Sequence, residues 1–525
     1  MEFRKRLAVP WFVKALCLAA VVLLVPQVAW ASSYVAGSLV RVSGASPFDA
    51  NCGLAGQTGT NYPNSEVEPY VEVNPANGDN LIGAWQQDRW SNGGSRGNVV
   101  GASLNNGASW RIVSQTKNSQ CTGGTTANGG DYQRASDPWV TISPNGHAYL
   151  MSLSIDQDPT SVFGSNPDAL LVSKSTDGGR TWSDPTTLIR DDNPNRLNDK
   201  NSMTADPNDS SYVYAVWDRL VSPPSGNTNP NAGENAIASR GPTLFTRTKN
   251  GGDSWEEPRI IFDPGTLQQT IGNQIVVRPQ GELINIFDLI QVTRKGATRG
   301  LNVSVIRSED NGGTWSKPIR FERMVDPGVS DPDDGDPVRT GDIIPDIAVD
   351  PNSGQLYAVW QDKRFPDGQH DSIALSTSTN GGLTWTPAEK VNKTPPDIPT
   401  GNQQAFNAAV DVAEDGTVSV SYYDFRNNTA DPDTLPTDYW VVHCHTLSTV
   451  DCSQAKQYDG SELRLTDASF DLEKAPVARG YFVGDYEGLA NDVGDEGTDF
   501  TPFFAQTQAE DPASIFFRRV GPERP

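Results

Sequence analysis

Histidine and charge are both scarce in this chain, and long apolar stretches are confined to its first 31 residues. The four histidines, His147, His370, His443 and His445, show no HExxH or related spacing, which removes the commonest zinc-enzyme pattern. His370, just before an expected third strand, reads as a surface residue. No Gly-x-Ser-x-Gly elbow occurs, and paired glycines fall mostly in one recurring turn rather than in a phosphate cradle. Charged residues make up only 20% of the chain, too few for a coiled coil or a solvated tail. Basic residues are outnumbered 41 to 65, a net charge of −24 whose field repels nucleic acid and anionic membranes.

The apolar start has the layout of a secretory signal. Arg4, Lys5, Arg6 and Lys14 precede an almost wholly apolar Ala15–Trp30, and Ala29-Trp30-Ala31 supplies the small-x-small cleavage pattern. The expectation is a signal over 1–31, an uncleaved anchor being the alternative. Removing four basic residues and one acid would leave a mature charge of −27, suited to a soluble, extracytoplasmic monomer. The remaining cysteines, Cys52, Cys121, Cys444 and Cys452, allow three pairings. The nearby Cys444 and Cys452 read as a hairpin staple, leaving Cys52 with Cys121. The competing metal site around His443, Cys444 and His445 lacks a spaced second ligand pair.

What is abundant is turn and aromatic chemistry, with 48 Gly, 38 Pro, 13 Trp and 14 Tyr. Five octets share Ser/Thr-x-Asp/Asn-x-Gly-x-Ser/Thr-Trp: Ser103–Trp110, Ser175–Trp182, Thr248–Trp255, Ser308–Trp315 and Ser378–Trp385. Their starts lie 72, 73, 60 and 70 residues apart. Asn105, Asp177, Asn250, Asp310 and Asn380 can accept amides of their own turn, and the glycine permits a positive φ. Trp110, Trp182, Trp255, Trp315 and Trp385 can then pin each turn to its sheet. The octet is a structural lock before it is anything catalytic.

Ahead of the octets run paired strand-like segments, such as Asp346–Asp350 with Leu356–Trp360 and Tyr70–Val73 with Leu81–Trp85, separated by turns such as Asn74-Pro75. Many second segments are apolar at odd and even positions alike, as in sheets covered on both faces. The unit is a four-stranded blade, and repeats of this period predict an all-β propeller over 32–525. Five units carry octets, a sixth spans about Gln404–Leu465, and a seventh uses Gly484–Ala490, Thr501–Gln506 and Ile515–Val520. Its fourth strand would be Gly37–Val42, closing the ring. Seven blades are expected, with six as the alternative.

The octets, together with the blade style of Asp350–Arg364 (DPNSGQLYAVWQDKR), resemble the Asp-box (BNR repeat) sialidase-like superfamily, in particular exported bacterial exo-α-sialidase-like proteins. The resemblance covers nearly all of the chain beyond residue 31. It implies a propeller and glycoside hydrolysis on extracellular carbohydrate, through a Tyr nucleophile, an Asp acid/base and arginines that grip a sugar carboxylate. Propeller geometry gathers the starts of first strands and the ends of second strands at one axial mouth, with the octets on the opposite side. There the expected catalytic residues are Tyr486 (or Tyr423), Asp88, Asp137 and Asp485, and the expected substrate-binding residues are Arg89, Arg219, Arg364, Arg426, Asp362 and Asp424. The Phe/Tyr-Arg-Ile-Pro segment that opens sialidases is absent, and adjacent Tyr486 and Glu487 would face opposite ways on a strand. Asp/Arg pairs also recur from unit to unit, which suits bracing.

The alternative function is a non-catalytic glycan- or protein-binding propeller at the cell surface, with contacts from insertions at Asn92–Asn98, Pro223–Gly241 and Asn427–Thr437. No cofactor is expected apart from a structural Ca²⁺ near Asp331–Asp336, where Asp331, Asp333, Asp334 and Asp336 crowd one loop. That loop lacks EF-hand spacing and its closing Glu, and a solvated acidic loop is the competing reading.

Overall fold

The computed structural model describes residues 34–222, 240–293, 298–325, 328–365, 368–444, 462–492 and 497–523. The expected signal at 1–31, His445, Cys452 and most of the Pro223–Gly241 insertion lie outside them. Ser33–Pro525 forms one compact unit. Among the described residues its regular structure is β-strand with a few single-turn 3₁₀ segments.

The strands form consecutive antiparallel meanders. The third runs Arg196–Ala205, Val213–Val221, Thr243–Thr248 and Arg259–Phe262. The fourth begins at Gln268–Val277 and Leu283–Val292, the fifth at Asp346–Val349 and Leu356–Asp362, and the sixth at Ala405–Val412 and Val418–Asp424. The first (from Glu66–Val73) and second (from Arg134–Ile142) are joined by a Ser95–Ala135 pair into one eight-stranded sheet. The last sheet pairs Phe503–Gln506 with Ser514–Phe517, and Val40–Arg41 adds to it antiparallel. The expected insertion at Asn92–Asn98 is mostly strand, because Ser95–Ser103 pairs with Leu81–Arg89.

First strands follow one another in cyclic order. Glu66–Val73 packs beside Arg134–Ile142, which meets Arg196–Ala205, then Gln268–Val277, Asp346–Val349 and Ala405–Val412. Phe503–Gln506 returns to Glu66–Val73. The sixth sheet joins the last through Asn407, whose Nδ2 donates to the Gly484 carbonyl at 2.7 Å, and through Asp411, which accepts the Asn491 amide at 2.5 Å. The sheets therefore close about an axis lined by their first strands.

Second strands carry the core because sheets cover them on both faces. All nine residues of Leu81–Arg89 and all seven of Leu356–Asp362 are buried, and Trp85, Trp217 and Trp360 are at most 1% exposed. Trp217 Nε1 also donates to Asn198 Oδ1 at 2.9 Å. Trp217→Ala is expected to cost about 3–5 kcal/mol, read from the urea midpoint at unchanged slope.

The octets use one hydrogen-bond scheme. In Ser308–Trp315 the Ser308 hydroxyl bonds Asp310 at 2.8 Å and accepts the Gly312 amide at 2.8 Å. Asp310 accepts the Thr314 amide at 2.7 Å, and Trp315 Nε1 donates to the Gly312 carbonyl at 3.2 Å. Asn105, Asp177, Asn250 and Asn380 accept the equivalent amides at 2.9–3.0 Å. Gly312 has φ +83°, and a Cβ there would lie 2.5 Å from Phe245 of the preceding sheet. The turn therefore locks itself and docks on its neighbour.

Candidate functional site

Most first strands carry a β-bulge where they approach the axis. Register shifts fall between Val67 and Tyr70, Ser136 and Trp139, Asp199 and Ser202, Ile271 and Gln274, and Phe406 and Ala409. Inside each bulge one residue takes the left-handed conformation: Glu68 (φ 53°), Asp137 (45°), Lys200 (48°), Gly272 (68°) and Asn407 (50°). Four of these are not glycine, and such backbone costs about 1–3 kcal/mol each unless its surroundings hold it. The bulge re-aims the side chain, here toward the axis.

Three of the re-aimed side chains meet at one ammonium. Lys200 Nζ lies 3.1 Å from Asp137 Oδ1, 2.6 Å from Asp485 Oδ2 and 3.5 Å from Glu68 Oε1, all four residues being at most 8% exposed. Arg339 grips Asp485 with two bonds, at 3.0 and 2.6 Å. Arg339 ends a short strand, Pro337–Arg339, that pairs in parallel with Tyr481–Phe482, and its guanidinium lies 4.4 Å over the Phe482 ring. Beside them Gly341 admits no side chain, since a Cβ would stand 1.8 Å from the Asp485 carbonyl oxygen.

The three carboxyls differ electrostatically. Burial is the largest influence on Glu68 and pushes it up to about 7, with Asp137 and Asp485 adding to the rise against Lys200. Burial also acts to raise Asp485, but Arg339 and Lys200 override it and hold this carboxyl well below the usual range. Lys200 sits well above its ordinary value, because its carboxylate neighbours outweigh desolvation. A proton-holding acid thus adjoins a carboxylate kept ionised.

The cluster borders a small cavity of about 50 Å³ whose walls include Tyr70, Trp139, Tyr486 and Glu487. Tyr70 stacks on Trp139 at 3.7 Å, and Tyr486 meets Trp139 edge-on at 5.6 Å. Tyr486 donates its hydroxyl to the Pro138 carbonyl at 3.1 Å, and burial first, then Glu68, Asp137 and Asp485, keep its phenol well above 10. Tyr486 and Glu487 line the same cavity, contrary to expectation, because this stretch is not regular strand. Tyr70, Gln274, Asp346, Ala409 and Glu487 also border a second cavity of about 490 Å³. This wider space reaches the turns between first and second strands, the end of the sheets that also carries the octets. The Lys200 cluster lies at the starts of the first strands, the end at which the sequence places the mouth.

Of the residues expected at that mouth, Asp137, Asp485 and Tyr486 come together; the others do not. Asp88 pairs with Arg96 at 3.1 Å and accepts from Ser46 at 2.6 Å, anchoring the segment before the first sheet. Arg89 donates to Gln86 at 2.7 Å and lies over Phe482, one side chain removed from Glu68, to which Gln86 donates. Arg219 pairs with Asp191 at 3.3 Å. Arg364 grips Asp362 and reaches Glu322 at 2.7 Å, and Arg426 joins Asp424 at 2.7 Å and Glu462 at 2.8 Å. Each arginine serves its own neighbourhood, and none lines either cavity. Tyr423 is buried and donates to the Ala505 carbonyl at 2.5 Å. His370, expected on the surface, is 3% exposed.

Glu68, Lys200 and Arg339 are not singled out by the sequence, which names Glu487 only to set it aside as the base for Tyr486. For Glu68 and Lys200 the signal was a polar residue within the first five positions of successive first strands, repeated at Asp137 and Asn407. Cys52 and Cys121 form a disulfide with Cα atoms 5.7 Å apart, and Cys444 is also disulfide-bonded. Among the described residues no group of three or more His, Cys, Asp or Glu is placed to hold a metal. In the acidic loop Asp331 and Asp334 accept amides of Asp333 and Asp336 at 2.9 and 2.8 Å. Among the described residues no helix is long and apolar enough to cross a membrane.

No family model and no curated protein matches the sequence. Among solved structures, the chain is similar to an α-L-arabinanase of Penicillium chrysogenum complexed with arabinobiose, at 14% identity, 74% of this chain, 94% of that one and TM-score 0.44. It is similar to the leech intramolecular trans-sialidase, at 12% identity, 84% and 82% coverage and TM-score 0.42. A Dyadobacter fermentans protein of unknown function aligns at 14% identity, 74% and 95% coverage and TM-score 0.42.

Proposed function

We propose that the chain is an exported, seven-bladed β-propeller with Asp-box turns that hydrolyses glycosides of extracellular carbohydrate, with its acid/base at the Lys200 cluster. The observation that carries this reading is the convergence of strained bulge residues on one ammonium. In this reading Glu68, pushed up to about 7 by burial and lying directly behind the cavity-lining Lys200, supplies the proton for the glycosidic oxygen. Asp485, kept ionised by Arg339 and Lys200, opposes the positive charge that develops on the sugar. Tyr70 and Trp139 line the small cavity beside the cluster, and Tyr70 also borders the wider space of about 490 Å³, within the ~300–1,000 Å³ range of small-ligand sites. A sialic carboxylate finds no uncommitted arginine here, so neutral glycosides are favoured over sialosides.

In a panel of fluorogenic glycosides, wild-type protein is expected to turn over at least one neutral sugar, and Glu68→Gln to lower kcat by about 10²–10⁴-fold with unchanged circular dichroism. Turnover indifferent to Glu68→Gln would remove the assignment. Silence across the panel would favour a surface glycan- or protein-binding propeller, a reading supported by the arginines pairing off as braces.

A further inference from the structure

The wider axial cavity has a lining of unusual sign. Its carboxyls are Glu72, Asp346, Asp411 and Glu487, and no Lys, Arg or His is among its lining residues. Among the described residues no cation pairs with any of the four. Glu487 is 3% exposed; its Oε2 accepts the Ala505 amide at 3.0 Å, while Oε1 has no hydrogen-bond partner. Asp346 accepts the Val410 amide through Oδ2 at 2.7 Å, with the Gln274 side chain as its polar neighbour. The rim is built from the turns between first and second strands, with Pro75, Pro144, Pro207, Pro279 and Pro351 supplied by five successive sheets. Proline fixes these turns, so the opening is preformed.

We propose that this channel binds the primary ammonium group of a small organic ligand entering at the proline rim. A buried carboxyl oxygen without a donor loses the water it would otherwise hold. Burial pushes Glu72 up to about 8 and Asp411 up to about 7, so these carboxyls hold protons near neutral pH, and an ammonium with its three donors would take the place of those protons. The four carboxyls are not close enough to chelate a bare metal ion, whereas an ammonium on a carbon frame needs only one or two of them at a time. An anionic ligand would meet carboxyls with no cation to receive it. The inference goes beyond hydrolysis, and holds whether or not the Lys200 cluster is catalytic. The ammonium could belong to an amino sugar or to a linear polyamine.

Calorimetric titration of the purified protein with a glucosamine tetramer, its fully N-acetylated counterpart and spermidine separates these sources. Binding of the glucosamine tetramer at least about ten-fold tighter than of the acetylated one is expected, as is an about ten-fold loss in both Glu72→Gln and Glu487→Gln. Spermidine binding with the same sensitivity, without the tetramer, would keep the ammonium site and assign it to polyamines. Glu309→Gln removes an exposed charge, its side chain being 82% accessible, and should leave binding unchanged. Binding of neither amine, or equal loss in Glu309→Gln, would overturn the proposal; hydrolysis of neutral glycosides would be unaffected by that outcome.

Discussion

Lys200→Met is expected to destabilise the fold by about 3–5 kcal/mol at pH 7.5, the scale for removing one partner from a buried ionic group. Methionine nearly preserves the stem's volume, so the loss is electrostatic. It leaves Glu68, Asp137 and Asp485 near one another, with Arg339 as the cation that remains on Asp485. The deficit should shrink as pH falls through about 7, because Glu68 then carries a proton instead of a charge. Adding Glu68→Gln to Lys200→Met should recover part of the loss, and the double-mutant cycle isolates that coupling. Urea midpoints of the four proteins measure it. A deficit under about 0.5 kcal/mol, as for an exposed site, would remove the cluster from any role in holding the ring.

The second large effect is a stability that declines between pH 5 and pH 8. Burial raises Glu66 to about 8, and Asp218, Asp342 and Asp411 to about 7. A carboxyl whose folded value lies above its unfolded one binds more protons when folded, so stability falls as pH rises through that window. One unit for one group is worth about 1.4 kcal/mol, so a single such group titrating over about two pH units would lower stability by ~3 kcal/mol. Asp485 has the opposite sign: its folded value is depressed, and its contribution is lost only in stronger acid. The maximum is expected near pH 5. A flat or rising profile from pH 5 to 8 would mean that water reaches these carboxyls.

The octets were legible in the sequence because their chemistry is local. The Ser308 hydroxyl, the Asp310 carboxylate and the Gly312 carbonyl find partners within eight residues, so composition and order suffice. Second strands such as Leu356–Asp362 were legible because burial on both faces selects apolar residues at every position. The partners of the arginines were not recoverable that way. Asp362 with Arg364 and Asp424 with Arg426 read alike whether they reach an axis or a neighbouring strand, and Glu322 and Glu462 decide the matter from other strands.

The sequence by itself determined the repeating unit, its turns and its buried strands, since each depends on interactions a few residues long. Tertiary structure alone decided which polar side chains meet. A bulge exists only relative to the strand opposite, so the left-handed turn that sends Glu68, Asp137 and Lys200 to one point has no signature in any single segment. Closure of the ring then brings Arg339 and Asp485, 146 residues apart, into contact beneath Phe482.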